Sequence, residues 1–534
     1  MAAEASDRSA FGPFRSRAFR YLWLAIVVSS IGGMAQTTGA QWLFVNDPNA
    51  ATIVSLIQTA SMLPMMILSL PAGVLADAFD RRSLLIGVQV YAVVVSSMLA
   101  LFTYLGKMPP LLLLAFTFAV GSGMALQVAT WPPLISELVP RSHLAAATRL
   151  DMVSVNVARA AGPAIAGLII ARAGVAPVFA FTATCVTVLL GVLLVWRRRM
   201  PSTGPRERFL PALRAGGRYV WHEPVVRLIL GRLAMFVAPG SALWALLPVI
   251  ARQQLGLDAG GFGLLYAALG SGAVIGALTL GWVKRRLSSN MVVTVAMTIY
   301  GVGIAVVMLS GSLWTAMPVL VIAGYGWTAV ASVLVSEMQL FLPGWVRGRA
   351  LAVYSMTFTG VMALTSPVWG LGAQVAGLRY AMWAAAALVL LGAGIGQLVR
   401  VPDNEGVDQR PIRIWDDAAH ARPLAPEVGP VVIEIDFRVP THHQEEFLTA
   451  MQSLRRSRLR NGATHWGLHR VLEQPETYVE QFTVSSWQEH LLTHEVRLTV
   501  ADQTVEQRVL RYATGEPRSR HLLPPDAEVP DPER

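Results

Sequence analysis

Twelve apolar stretches, each close to the length of a bilayer span and separated by short polar links, occupy the first four hundred positions of the chain. They lie near 19–44, 52–76, 84–105, 111–135, 144–171, 177–196, 225–250, 260–283, 291–309, 314–335, 350–375 and 379–399. About 20 apolar residues in a helix cover the roughly 30 Å of hydrocarbon in a bilayer. A backbone in that medium satisfies its own N–H and C=O groups only as a helix or a closed barrel, and continuous rather than alternating apolar runs select the helix. With 54% hydrophobic and 14% charged residues in 534 positions, a soluble core is excluded for this region. The expected fold class is an all-α polytopic membrane protein with twelve transmembrane helices, to which a small C-terminal α+β domain of ferredoxin-like order is appended.

The basic residues orient these spans. Arg8, Arg15, Arg17 and Arg20 precede the first span. Arg81 and Arg82, Arg141, Arg197 to Arg199, Lys284 to Arg286, Arg347 and Arg349, and Arg400 follow the even-numbered ones. The opposite links carry Lys107, Arg172, Arg252 and Arg379. The positive-inside bias therefore leads to the expectation that both termini are cytoplasmic. The net charge of +10 reads as a topology signal and not as a nucleic-acid footprint. No cleavable signal peptide is expected, because the first apolar run is too long and lacks a small-residue cleavage site. Cys185, the only cysteine, rules out an intrachain disulfide framework and reads as a small buried hydrophobe.

The charged link Gly73-Val-Leu-Ala-Asp77-Ala-Phe-Asp-Arg81-Arg82 joins the second and third spans and turns tightly at the membrane surface. Gly73, Arg81 and Arg82 recur about 203 positions later as Gly276, Lys284 and Arg285; Ser136-Glu137 returns as Ser336-Glu337, and Gly162-Pro163 as Ser366-Pro367. Six helices have been duplicated. The second copy lacks the acid, since Leu280 or Gly281 stands where Asp77 does. The expected organisation is a first six-helix half over 1–196, a cytoplasmic linker over 197–224, a second half over 225–400, a linker over 401–430, an α+β domain over 431–513 and a polar tail over 514–534.

This link resembles the signature of the major facilitator superfamily of secondary transporters. Trp131-Pro-Pro-Leu-Ile-Ser-Glu137-Leu-Val-Pro140-Arg141, followed by Asn156-Val-Ala-Arg159-Ala-Ala-Gly162-Pro163-Ala-Ile-Ala-Gly167, is similar to the transmembrane secretion effector group, which is related to the enterobactin and macrolide exporters. The likeness runs along nearly the whole chain. It implies parallel six-helix halves about an axis along the membrane normal, with a small-molecule substrate bound between them near the midplane. The fifth-span Gly162-Pro163-x-x-x-Gly167 resembles the pattern of antiporters. Asp80 departs from the general signature, where glycine is commoner.

Individual side chains carry sharper expectations. Asp77 at a helix end suits a latch, accepting from Arg81 or Arg82 and facing the positive end of a neighbouring helix, the eleventh span. Glu137 with Arg141, and Glu337 with Arg347, would support that latch; plain topology determinants and solvated helix-end pairs are the competing readings. Arg159 lies near the middle of the fifth span, where an arginine costs at least about 2.5–3.5 kcal/mol and must face a polar cavity or a partner. Gln36, Gln41, Gln127 and Asn156 are further polar groups that would bind substrate or tie helices together. Asp151 is the deepest acid, so Asp151 and Asp77 are the candidates for proton coupling, itself inferred from resemblance alone.

After Arg400 the chain becomes polar and proline-rich. Residues 431–439 then alternate like a strand, 442–460 read as an amphipathic helix, 464–472 and 477–484 as a strand pair, and 487–510 as one or two helices. The order resembles dimeric α+β barrels of the antibiotic-biosynthesis monooxygenase type, which implies a homodimer contact or a sensing role. His465, His469, His490 and His494 lack carboxylate or thiolate partners at metal-binding spacing, so neither a metal nor another cofactor is expected. The leading reading is a non-enzymatic secondary transporter that exports an amphiphilic or hydrophobic small molecule by alternating access, with protons as a candidate partner. A nutrient importer and a membrane-anchored enzyme or sensor are the alternatives.

Overall fold

The polar links between spans act as helix caps. Ser16, Asp80, Asp258 and Ser288 each accept a hydrogen bond from a backbone N–H three residues on, at the starts of four helices. This gives Asp80 a physical reason to stand where glycine is commoner: its carboxylate satisfies the N–H of Ser83 at 2.8 Å. The computed structural model describes residues 12–196, 209–401, 410, 412 and 424–527, apart from the side chains of Leu70, Val74, Asp77, Ala78, Arg141 and residues 209–215.

Twelve helices among the described residues are long and apolar enough to cross a bilayer. The first six are α1 (Arg17–Leu43), α2 (Ala50–Ala78), α3 (Arg81–Tyr104), α4 (Pro110–Leu138), α5 (Leu144–Ala173) and α6 (Ala176–Val195). A shorter helix, α7 (Phe209–His222), leads into α8 (Pro224–Val249), α9 (Ala259–Val283), α10 (Ser289–Val307), α11 (Leu313–Phe341), α12 (Gly344–Ala376) and α13 (Leu378–Leu398).

By compactness the chain divides into two units: 1–206 with 230–334 and 354–400, and 207–229 with 335–353 and 401–534. These differ from the sequence boundaries, because 335–353 groups with the C-terminal segment. In the first unit α1 packs on α5 and α6, α2 on α4, and α5 on α9. The α3–α6 contact is matched in the second half by α10–α13. Close approach between α2 and α4 uses Gly121 against the Ser61 carbonyl, and between α9 and α11 it uses Gly272 and Gly324 against the Val321 and Leu269 carbonyls. Glycine serves here because lipid gives no hydrophobic drive between helices, so packing depends on intimate backbone contact.

In the second unit β1 (Val431–Arg438), α14 (Gln444–Asn461), β2 (His465–Arg470), β3 (Thr477–Val484), α15 (Trp487–Leu492), α16 (Val500–Leu510) and β4 (Arg518–Leu522) follow one another. The sheet is antiparallel in the order β2-β3-β1-β4, the β-α-β-β-α-β ferredoxin-like arrangement. Alternation on β3 buries Tyr478, Glu480, Phe482 and Val484; Tyr478 packs with Phe437, Phe447 and Met451, and Phe482 and Val484 pack with Ile433 and Trp487. One difference from the sequence reading is β4, which lies inside the stretch expected to be a polar tail. It is an edge strand with charged residues outward, Arg520 reaching Glu434 and Asp436 at 3.3 and 3.1 Å, so its composition carries no strand signal.

Asp502 is a hub of this unit. It closes a capping box with Thr499 at the start of α16, accepts from Ser457, and meets Arg460 at 2.6 Å. Burial by itself would push its carboxyl up, but Arg460 and the hydrogen bonds of Ser457 and Thr499 outweigh that and hold it below the usual carboxylate range. The unfolded chain titrates near about 3.9, so the stabilisation is complete above that pH and is lost as pH falls through the lower folded value. Hydrogen exchange of the β1 and β3 amides is expected to rise on acidification below about pH 4. Asp502→Asn should flatten that acid limb and cost about 3–5 kcal/mol at neutral pH, because it leaves Arg460 short of a buried partner. An unchanged acid limb in the variant would show that Asp502 is not the group responsible.

Candidate functional site

The fifth span lies between the two halves of the first unit. A Cβ at Gly162 would stand 2.5 Å from the Cβ of Met34 and 2.9 Å from the Ile31 carbonyl on α1. One at Gly167 would stand 2.5 Å from the Ala259 carbonyl, and one at Gly263 would stand 2.6 Å from the Pro163 carbonyl. Gly162, Pro163 and Gly167 thus sit where α5 is pressed between α1 and α9. Proline at 163 also removes the N–H that would bind the Arg159 carbonyl one turn earlier.

That geometry lays the Arg159 carbonyl against Gly270 of α9, where a Cβ would stand 3.4 Å from it, so the half-buried arginine comes within electrostatic reach of Tyr266 one turn away, near which Gln41 of α1 also lies. Asp151 does not serve as its partner; it accepts from the indole of Trp131 on α4 at 2.7 Å. Three of the other polar candidates tie helices, and the fourth bonds within its own. Gln41 donates to Gln58 at 3.0 Å, Gln36 accepts from Ser96 at 3.1 Å, Gln89 donates to Gln127 at 3.0 Å, and Asn156 donates to the Met152 carbonyl of its own helix.

Around Tyr266 stands an aromatic wall that the sequence reading missed. Trp42 stacks on Phe262 at 5.2 Å, Phe262 meets Tyr266 at 5.5 Å, and Tyr266 meets Trp244 at 5.7 Å. Trp244 touches Trp327 at 5.5 Å, and Trp327 touches Tyr300 and Phe358. Phe262 and Tyr300 are fully buried, whereas Trp42, Trp244 and Phe358 keep part of their surface open. The wall draws on α1 and on α8 to α12. Phe236 of α8 also meets Trp327, at 5.1 Å; the eight-residue step from Phe236 to Trp244 and the four-residue step from Phe262 to Tyr266 place each pair on one helix face, the signal that was available.

Arg232 of α8 was also missed. Only 3% exposed, it donates to Asn290 at the start of α10 and, at 3.0 Å, to the Gly396 carbonyl of α13. The rule that singled out Arg159 applied equally to an arginine eight residues into an apolar run.

At the signature link Arg81 pairs with Glu137 at 2.6 Å, and Arg82 donates to the carbonyls of Leu193 and Leu194 at the end of α6, each at 3.1 Å. Cations at a helix C-terminus complement its exposed carbonyls. Gly73 sits in open space. The side chains of Asp77 and Arg141, and hence the expected contact with the eleventh span, lie outside the described residues. Glu337 is buried within the second unit, and Arg347, exposed, donates to the Leu342 carbonyl at 3.2 Å. On the face away from the signature link the halves meet directly. Arg252 donates to Asn46 at 2.8 Å, Gln374 to the Pro48 carbonyl at 3.0 Å and Thr59 to the Ala363 carbonyl at 2.8 Å.

In the C-terminal domain His490 and His521 approach at 3.1 Å between their Nε2 atoms. Among the described residues no group of three or more His, Cys, Asp or Glu side chains is arranged to hold a metal ion.

Comparison with known proteins agrees with this architecture. Enterobactin exporter EntS of Salmonella choleraesuis strain SC-B67 is 27% identical over 392 residues, covering 70% of this chain and 90% of that protein. Its counterpart in Escherichia coli O1:K1 / APEC is 28% identical over 398 residues with the same coverage. A bacterial homologue of the human lysosomal transporter Spinster, in an inward-facing and unoccupied conformation, shares the fold with a TM-score of 0.59 at 15% identity, over 72% of this chain and 97% of that one. A bacterial homologue of the iron transporter ferroportin in an inward-facing state gives 0.56 at 15% identity, over 72% and 98%. The model of the transmembrane secretion effector family matches residues 8–528. The chain therefore belongs to the transmembrane secretion effector family, a multi-pass membrane transporter of the major facilitator type.

Proposed function

We propose that the protein is a secondary active exporter of amphiphilic small molecules that carry an aromatic and an anionic group. The observation that carries this reading is the meeting of the aromatic wall with Arg159 and Gln41. Planar apolar surface and a fixed cation stand side by side in the middle of the bundle, and among the described residues no carboxylate neutralises the arginine. An arginine in that position demands a counter-charge, and a bound anion supplies it. The enterobactin exporters that the chain resembles supply the direction of transport.

The same geometry supports alternating access. The excess of basic residues in alternate links supports cytoplasmic termini, and in that orientation the face joined by Asn46–Arg252, Pro48–Gln374 and Thr59–Ala363 is the outer one. Release outward requires those contacts to part while α5 and α9 keep or exchange theirs. Asp151 is the candidate proton carrier, held by Trp131 at the α4–α5 contact. The Arg81–Glu137 pair at the signature link belongs to the latch that closes the inner face.

Substitution of Arg159 separates recognition from architecture. Fluorescein, a planar aromatic anion, serves as a transport probe in inverted vesicles beside enterobactin. Arg159→Lys keeps the charge but loses the planar fork and should retain part of the uptake, whereas Arg159→Gln should lower apparent affinity by roughly ten- to a hundredfold with unchanged yield and melting temperature. A glutamine variant that transports normally but melts early would assign Arg159 to structure.

The outer face provides a second test. In a Cys185→Ala background, Asn46→Cys and Arg252→Cys joined by a short bis-maleimide should abolish transport, and either single cysteine treated alike should not. Full transport by the cross-linked protein would rule out separation of the halves at this face.

A further inference from the structure

We propose that the C-terminal α+β domain is an intramolecular clamp, gripping α7 and the α11–α12 turn so that the ends of three spanning helices of the second half move as one body. Three segments far apart in sequence interlock within the second unit: 216–223, 345–349 and 460–502. Glu223, 4% exposed at the junction of α7 and α8, is in direct contact with Arg460 of α14, which holds Asp502 with its other amino group. A carboxylate is buried at such a junction only when it is paired.

Trp345, the second residue of α12, is held from two sides. Tyr219 of α7 meets it edge-on at 5.7 Å, and the guanidinium of Arg497 lies over its ring at 5.0 Å. Arg497 is fixed in turn by Glu489 at 2.6 Å and by the Asn461 carbonyl at 3.0 Å, while Glu489 also reaches Arg218 of α7 at 3.9 Å. Gly216 allows the stem of Arg349 to lie against α7: a Cβ there would stand 2.7 Å from the Arg349 Cβ.

The charges are arranged as acid from one segment against arginine from another. Glu223 on the α7–α8 junction faces Arg460 of the domain, and Glu489 of the domain faces Arg218 of α7. Exchanging the polarity between segments in this way specifies one docking pose and penalises sliding, because a shifted register would leave buried charges unmatched. The domain's partner is thus its own chain. Its grip on α7, which enters α8, and on 335–353, where α11 ends and α12 begins, reaches helices that must reorient if the protein alternates its access. That kinetic consequence rests on the transport reading, whereas the docking itself does not.

Hydrogen exchange of the full chain in detergent tests the docking, with fluorescein transport as a separate readout. Glu223→Gln lies outside the domain and leaves Arg460–Asp502 in place; it should speed exchange of the 216–222 and 344–349 amides by about tenfold while β1 and β3 stay protected. Arg460→Met should do the same, and the double variant should add little to either single change, as expected of one shared interaction. If Arg460→Met also exposes the sheet, the Glu223→Gln and Trp345→Ala variants decide. Unchanged exchange at both segments in Glu223→Gln and Trp345→Ala would overturn the clamp. Loosened segments with an unaltered fluorescein rate would overturn the claim that the three helix ends move together, while absence of fluorescein transport by the unmodified protein would count against the transport reading and leave the exchange result standing.

Discussion

A peptide group in hydrocarbon has no water to turn to, and this requirement governs the molecule from its twelve spans down to single residues. It makes each span a helix. Because surrounding lipid is as apolar as leucine, it also removes the hydrophobic drive that would hold those helices together, and places the load on close backbone contact. The junction of α5 with α9 shows the result. Gly167 lies against the Ala259 carbonyl and Gly263 against the Pro163 carbonyl, so two helices from different halves come together with no side chain between them. Arg159 sits one turn before Pro163, and that closeness brings its guanidinium towards Tyr266 of α9.

Arg159 and Arg232, both well inside spanning helices, show how surroundings decide role. Arg232 has Asn290 and the Gly396 carbonyl on its donors and is sealed from solvent, so it works as a tie between α8, α10 and α13. Arg159 is half-buried and borders an aromatic wall. Nothing in the local sequence separates them, since each has apolar neighbours within a spanning helix. Outside the spans the same residue type is used a third way. Arg458 is sealed in the domain core against Glu480 and Glu506, and Arg460 and Arg497 each bridge two segments through paired carboxylates or an aromatic face.

Much of the fold was legible because its signals are periodic and local. Span length, the charged links and the caps at Ser16, Asp80 and Ser288 are all written within a few neighbouring residues. The strands β1 to β3 announce themselves by alternation, whereas β4 does not, because an edge strand with one charged face has the composition of a loop. At the site, Arg159 was legible by its cost in lipid. The glutamines were visible as polar groups, but which partners they take, as in Gln36–Ser96, Gln41–Gln58 and Gln89–Gln127, was not.

By itself, the sequence determined that the chain spans a membrane twelve times, that its first six helices are repeated, and that a strand-and-helix domain follows. Each of these rests on composition and spacing, which act along the chain. Only the tertiary structure decided which side chains share a site. The meeting of Trp42, Phe262, Tyr266, Trp244 and Trp327, and the pairing of Glu223 with Arg460 across more than two hundred residues, depend on which helix faces which. That choice is made by the shapes of packed surfaces and by the cost of leaving a buried charge unmatched, and neither quantity is a property of any one segment.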